Sequence, residues 1–250
     1  MPRYAVRPLL RSSSEVGGVQ SVDRALTVLS AFRKGDTTLT LAELAARTGL
    51  VKSTTLRLLA SLQNFGLIER QENGSFAIGL EIARLNEVFT ASFSIEQVVV
   101  PVMRALAQKT GESVAFHVRQ GDRRLCLYRV ESQHPLREHG NAGDLLPLDR
   151  GSGGRVLLAF SGAMGPIYDT IRSEGVAVLM ADRVSDLAGI SAPTFGQGEK
   201  LIGAITLIVP RTRFDPSYAT YVRDAAVEIT RRLGHDWAGV VASQGRLRES

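Results

Sequence analysis

The chain has 250 residues, of which 44% are hydrophobic and 22% charged, with a formal net charge of +5 and a pI near 9.7. This composition favours two modest globular domains, and the charge mildly favours a polyanionic partner. The single cysteine, Cys126, excludes an internal disulfide framework, and no apolar run reaches the roughly 18 residues that span a bilayer. The first residues lack the apolar core of a secretory signal, so we expect a cytoplasmic protein.

Residues 1–18 are expected to form a disordered basic tail, because their arginines stand among serines and glycines without periodicity. A supplementary phosphate contact is the alternative role of this tail. Order is predicted to begin at Ser21, a plausible N-cap of the first helix, since apolar residues recur at helical spacing behind it.

Residues 39–67 are predicted to form two short helices joined by a tight turn. Thr40 followed by Glu43 is the pattern of a capping box, in which each side chain bonds the other's backbone N–H. Gly49 has the position of a glycine that ends a helix, and the second helix begins at 51–53.

The exposed arc of that second helix carries small hydroxyls and basic groups. Its candidate DNA-contacting residues are Lys52, Ser53, Thr54, Leu56, Arg57 and Ser61. Such side chains suit the major groove, where phosphates and base edges accept hydrogen bonds. Arg57 is the best candidate for a guanine edge, and Leu56 for a thymine methyl group. A packed helical hairpin without a DNA role is the alternative.

Asn73-Gly74 stands between two short β-prone runs, which is a strong signal for a β-hairpin. Three helices followed by such a hairpin predict a winged helix-turn-helix domain over residues 19–79. Arg70 in this wing is a further candidate DNA contact, although the glutamates near it make the hairpin less basic than a grip on DNA would favour. Residues 80–94 are predicted to form a linker helix.

From residue 95 the pattern predicts a helix, a hairpin that turns at Gln120–Arg123, further strands and a final helix. Hairpin turns between these strands indicate an antiparallel sheet with helices packed on it, and hence an α+β fold. We expect this domain to cover 95–234 and residues 235–250 to be a tail.

Several segments together resemble the IclR family of bacterial transcriptional regulators. They are VQSVDRALTVLSAF, LAELAARTGLVKSTTLRLLASLQNFGLIER, GESVAFHV, LCLYRVESQHPLR, GSGGRVLLAF, IRSEGVAV and GISAPTF…GAITLIVP. The resemblance covers roughly residues 19–234 and implies a GAF-like effector-binding domain after the linker helix. It implies a ligand-responsive regulator that binds palindromic double-stranded DNA as a homodimer or tetramer, controlled by a small organic acid. No cofactor, metal, membrane or enzymatic activity is expected.

The positions that match the family's ligand contacts are Ser152, Gly153, Leu179, Gly189, Thr206 and Ile208. Gly154 joins them because backbone N–H groups at a helix start can bind a carboxylate. Leu179, Gly189 and Ile208 stand where relatives often have polar groups or cysteine. These differences led us to expect a roomier, more apolar cavity that suits an aromatic or longer aliphatic acid.

Two alternatives stay open from the sequence. Residues 161–170 are shorter than the helical segment usual in relatives, so the effector domain could have a degenerate pocket that serves only dimerisation. Another alternative is a small-molecule-binding or catalytic protein with an accessory helical module. His134 and His139 favour a surface cluster over a metal site, and Cys126 favours an inert buried thiol.

Overall fold

A computed structural model of the protein describes residues 18–33, 35–92, 95–134 and 140–246. The chain divides into two compact units, with the boundary between residues 93 and 94. Nearly all of the predicted basic tail therefore lies outside the described residues. Among the described helices, none combines the length and the apolar character needed to cross a lipid bilayer.

The first unit contains three helices, a two-stranded antiparallel hairpin and a fourth helix. Its elements are α1 (Gln20–Leu29), α2 (Leu41–Thr48), α3 (Lys52–Asn64), β1 (Ile68–Arg70), β2 (Phe76–Ile78) and α4 (Leu80–Ser92). This order is that of a winged helix-turn-helix, so the predicted architecture of this part is confirmed.

Local chemistry explains the turn between α2 and α3. The Thr40 hydroxyl accepts the Glu43 N–H at 3.3 Å, and the Glu43 carboxylate accepts the Thr40 N–H at 2.8 Å, which completes the predicted capping box. Gly49 ends α2 with a φ of 72°, a conformation that costs glycine little. The predicted cap of α1 at Ser21 is wrong, because the helix begins at Gln20 with Val19 in the N-cap position, and Ser21 lies inside its first turn.

Apolar residues from all of these elements except α4 meet in one core. The largest of its fully buried side chains are Leu44, Leu59, Ile68 and Phe76. Arg47 ties the end of α1 to α2, since its guanidinium donates to the Ala31 carbonyl at 3.0 Å and pairs with the Asp36 carboxylate. This core holds α3 with one side buried and the other exposed.

The second unit is a six-stranded sheet with helices. Its elements are α5 (Ile95–Thr110), β3 (Ser113–Gln120), β4 (Arg123–Val130), β5 (Leu145–Pro147), α6 (Ser152–Ala159), α7 (Pro166–Glu174), β6 (Ala177–Met180), β7 (Leu187–Gly196), β8 (Lys200–Pro210), α8 (Tyr218–Arg232) and α9 (Trp237–Arg246). The strand order is β5-β4-β3-β8-β7-β6, and every neighbouring pair is antiparallel. The predicted α+β class with an antiparallel sheet is confirmed.

Strand register sorts the side chains of this sheet into two faces, because successive residues of a strand point to opposite sides. Phe116 and Ile205 are paired and fully buried on one face. Ala115 and Thr206 are paired on the other face, which also carries His117. The second face is the one that α6 approaches.

The predicted tail at 235–250 is wrong for most of its length, because residues 237–246 form α9. Trp237, Val240 and Val241 are buried in the core of the second unit, and the Trp237 indole donates to the Pro193 carbonyl at 2.7 Å. Their i, i+3, i+4 spacing is a helical signal that the sequence contained, but three residues are too few to decide against a tail.

The segment after α6 is not a bare connection. Residues 166–174 form α7, whose Ile171 is buried, and the Arg172 guanidinium donates to the carbonyls of Ala159 at 2.6 Å and Ala163 at 2.9 Å. These bonds satisfy carbonyls at the end of α6, where a helix leaves acceptors without internal partners. The second half of the short segment at 161–170 therefore belongs to a helix that is fixed to α6.

Candidate functional site

The outer side of α3 presents the residues that the sequence marked for DNA. Lys52, Ser53, Leu56, Arg57 and Ser61 are exposed, and Thr54 is half-buried. The inner side is apolar or satisfied within the helix: Leu59 and Leu62 are buried, and the buried Thr55 hydroxyl donates to the Val51 carbonyl at 3.1 Å. The second helix of this helix-turn-helix thus offers hydroxyl and cationic donors to a partner.

Arg70 differs from this set, because it lies in the hairpin rather than on α3. Its side chain is exposed, and its guanidinium carbon lies 5.9 Å from the centroid of the Phe76 ring. That distance fits a cation–π contact that braces the hairpin. Its outward exposure leaves the same group accessible to a phosphate.

The second unit contains a cavity of about 80 Å³ on the face of the sheet that α6 approaches. Six of the seven effector positions predicted from the sequence line it: Ser152, Gly153, Leu179, Gly189, Thr206 and Ile208. Gly154 does not line it. A volume of this size holds several water molecules or a small organic ligand.

The sheet brings three of these residues side by side. Gly189 of β7 pairs with Leu179 of β6 on one side and with Ile208 of β8 on the other. Residues opposite one another in an antiparallel sheet share a face, so the three form one row across the cavity wall. Thr206 lies two residues from Ile208 and therefore on the same face.

Glycines allow α6 to approach this wall closely. A Cβ on Gly153 would lie 2.8 Å from Thr206 Oγ1, and a Cβ on Gly189 would lie 2.5 Å from Ser152 Oγ. A Cβ on Gly154 would lie 2.2 Å from the Leu148 carbonyl oxygen, which explains that glycine by packing. Gly189 therefore makes room for Ser152, where the sequence had led us to expect room for a larger ligand.

Sequence reasoning missed the charged part of the cavity. Its lining also includes three arginines and two aspartates, namely Arg124, Arg129, Arg183, Asp144 and Asp182. The cavity therefore combines apolar side chains with charged groups that the sequence had not indicated. Part of the signal for these charges was present in the sequence, since Arg124 and Cys126 are two apart on β4 and share a face. The place of Arg129 could not be read in the same way, because a register shift in the β3–β4 pairing precedes it.

Two of these arginines, Arg124 and Arg183, lie in surroundings that disfavour their positive charge. Burial, and next the positive charge of Arg183, lower the pKa of Arg124 to about 10. Burial and the neighbouring Arg129 also lower the pKa of Arg183. Within the described part of the chain, the buried Nε atom of Arg124 has no hydrogen-bond partner. Cations held in this way gain most from an anion placed beside them.

The start of α6 is partly occupied by the protein itself. The Asp182 carboxylate accepts the Gly151 N–H at 2.5 Å and pairs with Arg155 at 3.1 Å. Arg124 donates to the carbonyls of Arg150 and Gly151 in the same loop. The backbone N–H groups at this helix end, where the sequence predicted an anion site, are therefore already in part bonded to an internal carboxylate.

His117 and Cys126 are paired across β3 and β4 and both line the cavity. Burial raises the pKa of the Cys126 thiol to about 11, which keeps it protonated. His117 forms a hydrogen bond of 3.1 Å between Nδ1 and Thr206 Oγ1. The structure thus places this histidine in the cavity wall.

Metal binding has no support in the described ranges, where no group of three or more histidine, cysteine, aspartate or glutamate side chains could hold an ion. His139 of the predicted surface cluster lies outside those ranges.

Comparison with known proteins decides the family. Residues 21–72 match the model of the IclR helix-turn-helix domain, and residues 88–165 match that of the bacterial transcriptional regulator IclR C-terminal domain. The two matches follow each other in order and together cover just over half of the chain. The chain belongs to the IclR family of bacterial transcriptional regulators.

Individual relatives agree with this assignment. This IclR-family chain is 24% identical to the HTH-type transcriptional regulator KipR of Bacillus subtilis, over 86% of this chain and 98% of the relative. Its fold matches that of an IclR transcriptional regulator from Silicibacter sp. TM1040 with a TM-score of 0.73, 23% identity, and coverage of 86% and 96%. It also matches an IclR homologue from Microbacterium hydrocarbonoxydans complexed with 4-hydroxybenzoate, with a TM-score of 0.73, 22% identity, and coverage of 86% and 99%.

Membership of the family makes the chain a transcriptional regulator with a DNA-binding helix-turn-helix. The family is one of transcriptional regulators, which are not enzymes. The effector and the operator are matters for proposal.

Proposed function

We propose that this IclR-family regulator reads a palindromic DNA operator through α3 and is controlled by a small organic acid bound in the cavity of its second unit. The observation that carries the proposal is the cavity, which is lined by three arginines and two aspartates as well as by the hydroxyl groups of Ser152 and Thr206. The net positive lining favours an anionic ligand, because attraction between charges is strong where water is excluded.

For DNA, the proposed contacts are those on the exposed side of α3. Lys52, Ser53 and Thr54 stand at the helix start, where side chains of this size reach phosphates. Arg57 lies one turn further along and is long enough for a bidentate contact with guanine. Two such helices in a symmetric dimer would read half-sites about one helical turn apart, or a multiple of it.

Replacement of Arg57 tests this assignment. We expect Arg57→Ala to weaken binding to the operator by about 1–3 kcal/mol and to relax specificity at one base pair. Arg24→Ala is the matched control, because it removes the same charge from an exposed position on α1 of the same unit. Fluorescence anisotropy titration at one fixed salt concentration measures both variants. Equal, small losses for the two variants would contradict a specific role of Arg57.

For the effector, we favour an aromatic or longer aliphatic acid. Leu179, Val184 and Ile208 supply apolar lining for the body of the ligand, and Arg129 and Arg183 supply the charge that pairs with its carboxylate. A relative of the same fold was crystallised with 4-hydroxybenzoate, which supports an acid of this class. Charge-assisted hydrogen bonds from guanidinium groups to a carboxylate are among the strongest in proteins.

A thermal-shift screen tests the cavity directly. We expect benzoate, 4-hydroxybenzoate, phenylacetate or a similar acid to raise the melting temperature of the full chain, because a ligand that binds only the folded state stabilises it. The uncharged amides of the same acids should have little effect. Stabilisation by the amides alone would contradict an anion site.

Two arginine variants test where the acid binds. Arg183→Ala should abolish the shift caused by the acid, since Arg183 lines the cavity. Arg123→Ala is the matched control, because Arg123 lies beside Arg124 on β4, points to the other face and does not line the cavity. Loss of the shift in both variants would place the binding elsewhere. Absence of any shift in the wild-type chain would favour a degenerate pocket that serves only dimerisation.

A further inference from the structure

His117 is a deeply buried titratable side chain of the cavity wall, with 3% of its surface exposed. Its Nδ1 atom is engaged by Thr206, whereas within the described residues no group forms a hydrogen bond with Nε2. A buried polar atom normally has a partner, either in the protein or in bound water or ligand. The hydrogen-bond partner of Nε2 therefore has to be a molecule in the cavity that His117 lines.

The surroundings of His117 favour the neutral form of its imidazole. Burial, followed by the positive charges of Arg124, Arg183 and Arg129, holds the pKa of His117 well below its usual value. One ring nitrogen of a neutral imidazole carries the proton and the other accepts, so Nε2 is either a donor or an acceptor of an uncharged hydrogen bond. It cannot repel a cation or attract an anion as a charged group would.

A line of hydroxyl groups extends from His117 to the start of α6. Ser191 Oγ lies 2.8 Å from Thr206 Oγ1 and 2.7 Å from Ser152 Oγ, and Ser191 is fully buried. A serine has one hydroxyl proton, so Ser191 donates to one neighbour and accepts from the other. The line can therefore run head to tail in either direction.

Each direction gives Nε2 a defined role. When protons run from Nδ1 through Thr206 and Ser191 to Ser152, Nε2 is a bare acceptor toward the cavity. When they run from Ser152 back to Nδ1, Nε2 carries the proton and is a donor. A hydroxyl group on a ligand can satisfy both states, since it both donates and accepts.

We infer that His117 is a specificity-determining residue, and that the ligand of this cavity carries a hydroxyl or a similar uncharged polar group in addition to its carboxylate. The inference rests on the proposed function, because it assumes that the cavity binds an acid. The carboxylate pairs with the arginines, which carry the charge, and the uncharged group bonds Nε2 of His117. A ligand with a methyl group in that place would remove water from Nε2 and leave it without a partner.

Matched pairs of ligands test this division of roles. We would titrate the wild-type chain by calorimetry with 2-, 3- and 4-hydroxybenzoate and with the corresponding methylbenzoates, and likewise with lactate and isobutyrate. Within each pair the two molecules have nearly the same shape and charge. In at least one pair, we expect the hydroxyl member to bind about tenfold or more tightly, since one unmet buried hydrogen bond costs about that much.

Variants of His117 assign the preference to the imidazole. His117→Leu should bring the two members of that pair to within about twofold of each other, with the methyl member bound as well as before or better. His117→Gln, which keeps a hydrogen-bonding side chain, should retain part of the preference. Arg183→Ala is the control for the charged end, because it should weaken both members by the same factor.

The outcomes separate this inference from the proposed function. Binding of the acids without a hydroxyl preference, or a preference that persists in His117→Leu, would overturn the role of His117 and leave the acid site standing. Failure of every acid to bind the folded wild-type chain would overturn both. If His117→Leu fails to fold, His117→Gln decides the question: a preference smaller than that of the wild type supports the role of His117, and an unchanged preference overturns it.

Discussion

Truncation of Trp237 tests whether α9 belongs to the folded core of the second unit. The indole is 7% exposed, its ring lies in the main core, and its Nε1 donates to the Pro193 carbonyl at 2.7 Å. Removal of a buried tryptophan side chain costs about 3–5 kcal/mol, from the lost burial and the cavity left behind. We therefore expect Trp237→Ala to lower the free energy of unfolding of the second unit by that amount.

The expected loss is large enough to see as a shift in melting temperature. For a unit of this size each kcal/mol corresponds to about 2–4 °C, so the shift should be about 6–20 °C. Differential scanning calorimetry is the suitable assay, because Trp237 is the only tryptophan of the chain and its replacement removes the fluorescent probe. Trp237→Phe should show a smaller loss, since a phenyl ring still fills part of the space of the indole, although the hydrogen bond to Pro193 is removed.

Phe65→Ala is the matched control. Phe65 is 76% exposed, so its truncation should change the free energy of unfolding by no more than about 0.5 kcal/mol. A loss below about 1 kcal/mol for Trp237→Ala, similar to that of Phe65→Ala, would refute the reasoning. The residues after 235 would then behave as the tail that the sequence had predicted.

Two further predictions concern the first unit. Thr40→Ala should destabilise it by about 0.5–2 kcal/mol, measured by urea denaturation, because the capping box loses its hydroxyl, whereas Thr40→Ser should restore most of the loss. The hydrogen bond from Arg47 lowers the pKa of Asp36 below its ordinary value of 3.8. The stabilisation is therefore fully present above pH 4 and is lost as the pH falls through the lowered value. Asp36→Asn should remove this part of the pH dependence, and melting curves that keep the wild-type slope at acid pH would contradict it.

The DNA-binding unit could be predicted from the sequence almost entirely. Its signals are local: the capping box at Thr40 and Glu43, the left-handed Gly49, and the Asn73-Gly74 turn act within a few residues of themselves. The face of α3 follows from its helical period, because that period alone decides which side chains point away from the core.

The cavity shows where such reasoning stops. Ser152 and Thr206 were identified from the resemblance to the family, but Arg129 and Arg183 were not. Arg129 follows a register shift in the pairing of β3 with β4, and Arg183 lies in the connection after β6, beyond the positive-φ turn at Ala181. Neither place is fixed by spacing along the chain, so the charge of the cavity was not visible.

Sequence by itself determined the family, the α+β class, the reading helix and the antiparallel strands, because each depends on periodicity, turn chemistry or ordered motifs. Tertiary structure alone decided what meets in the cavity and what closes the core. His117 on β3 is distant in sequence from Ser191 and Thr206, which lie on the neighbouring strands β7 and β8, and only strand register brings their hydrogen-bonding groups into one line. Trp237 reached the core for the same reason, since a partner such as the Pro193 carbonyl exists only after the sheet has formed.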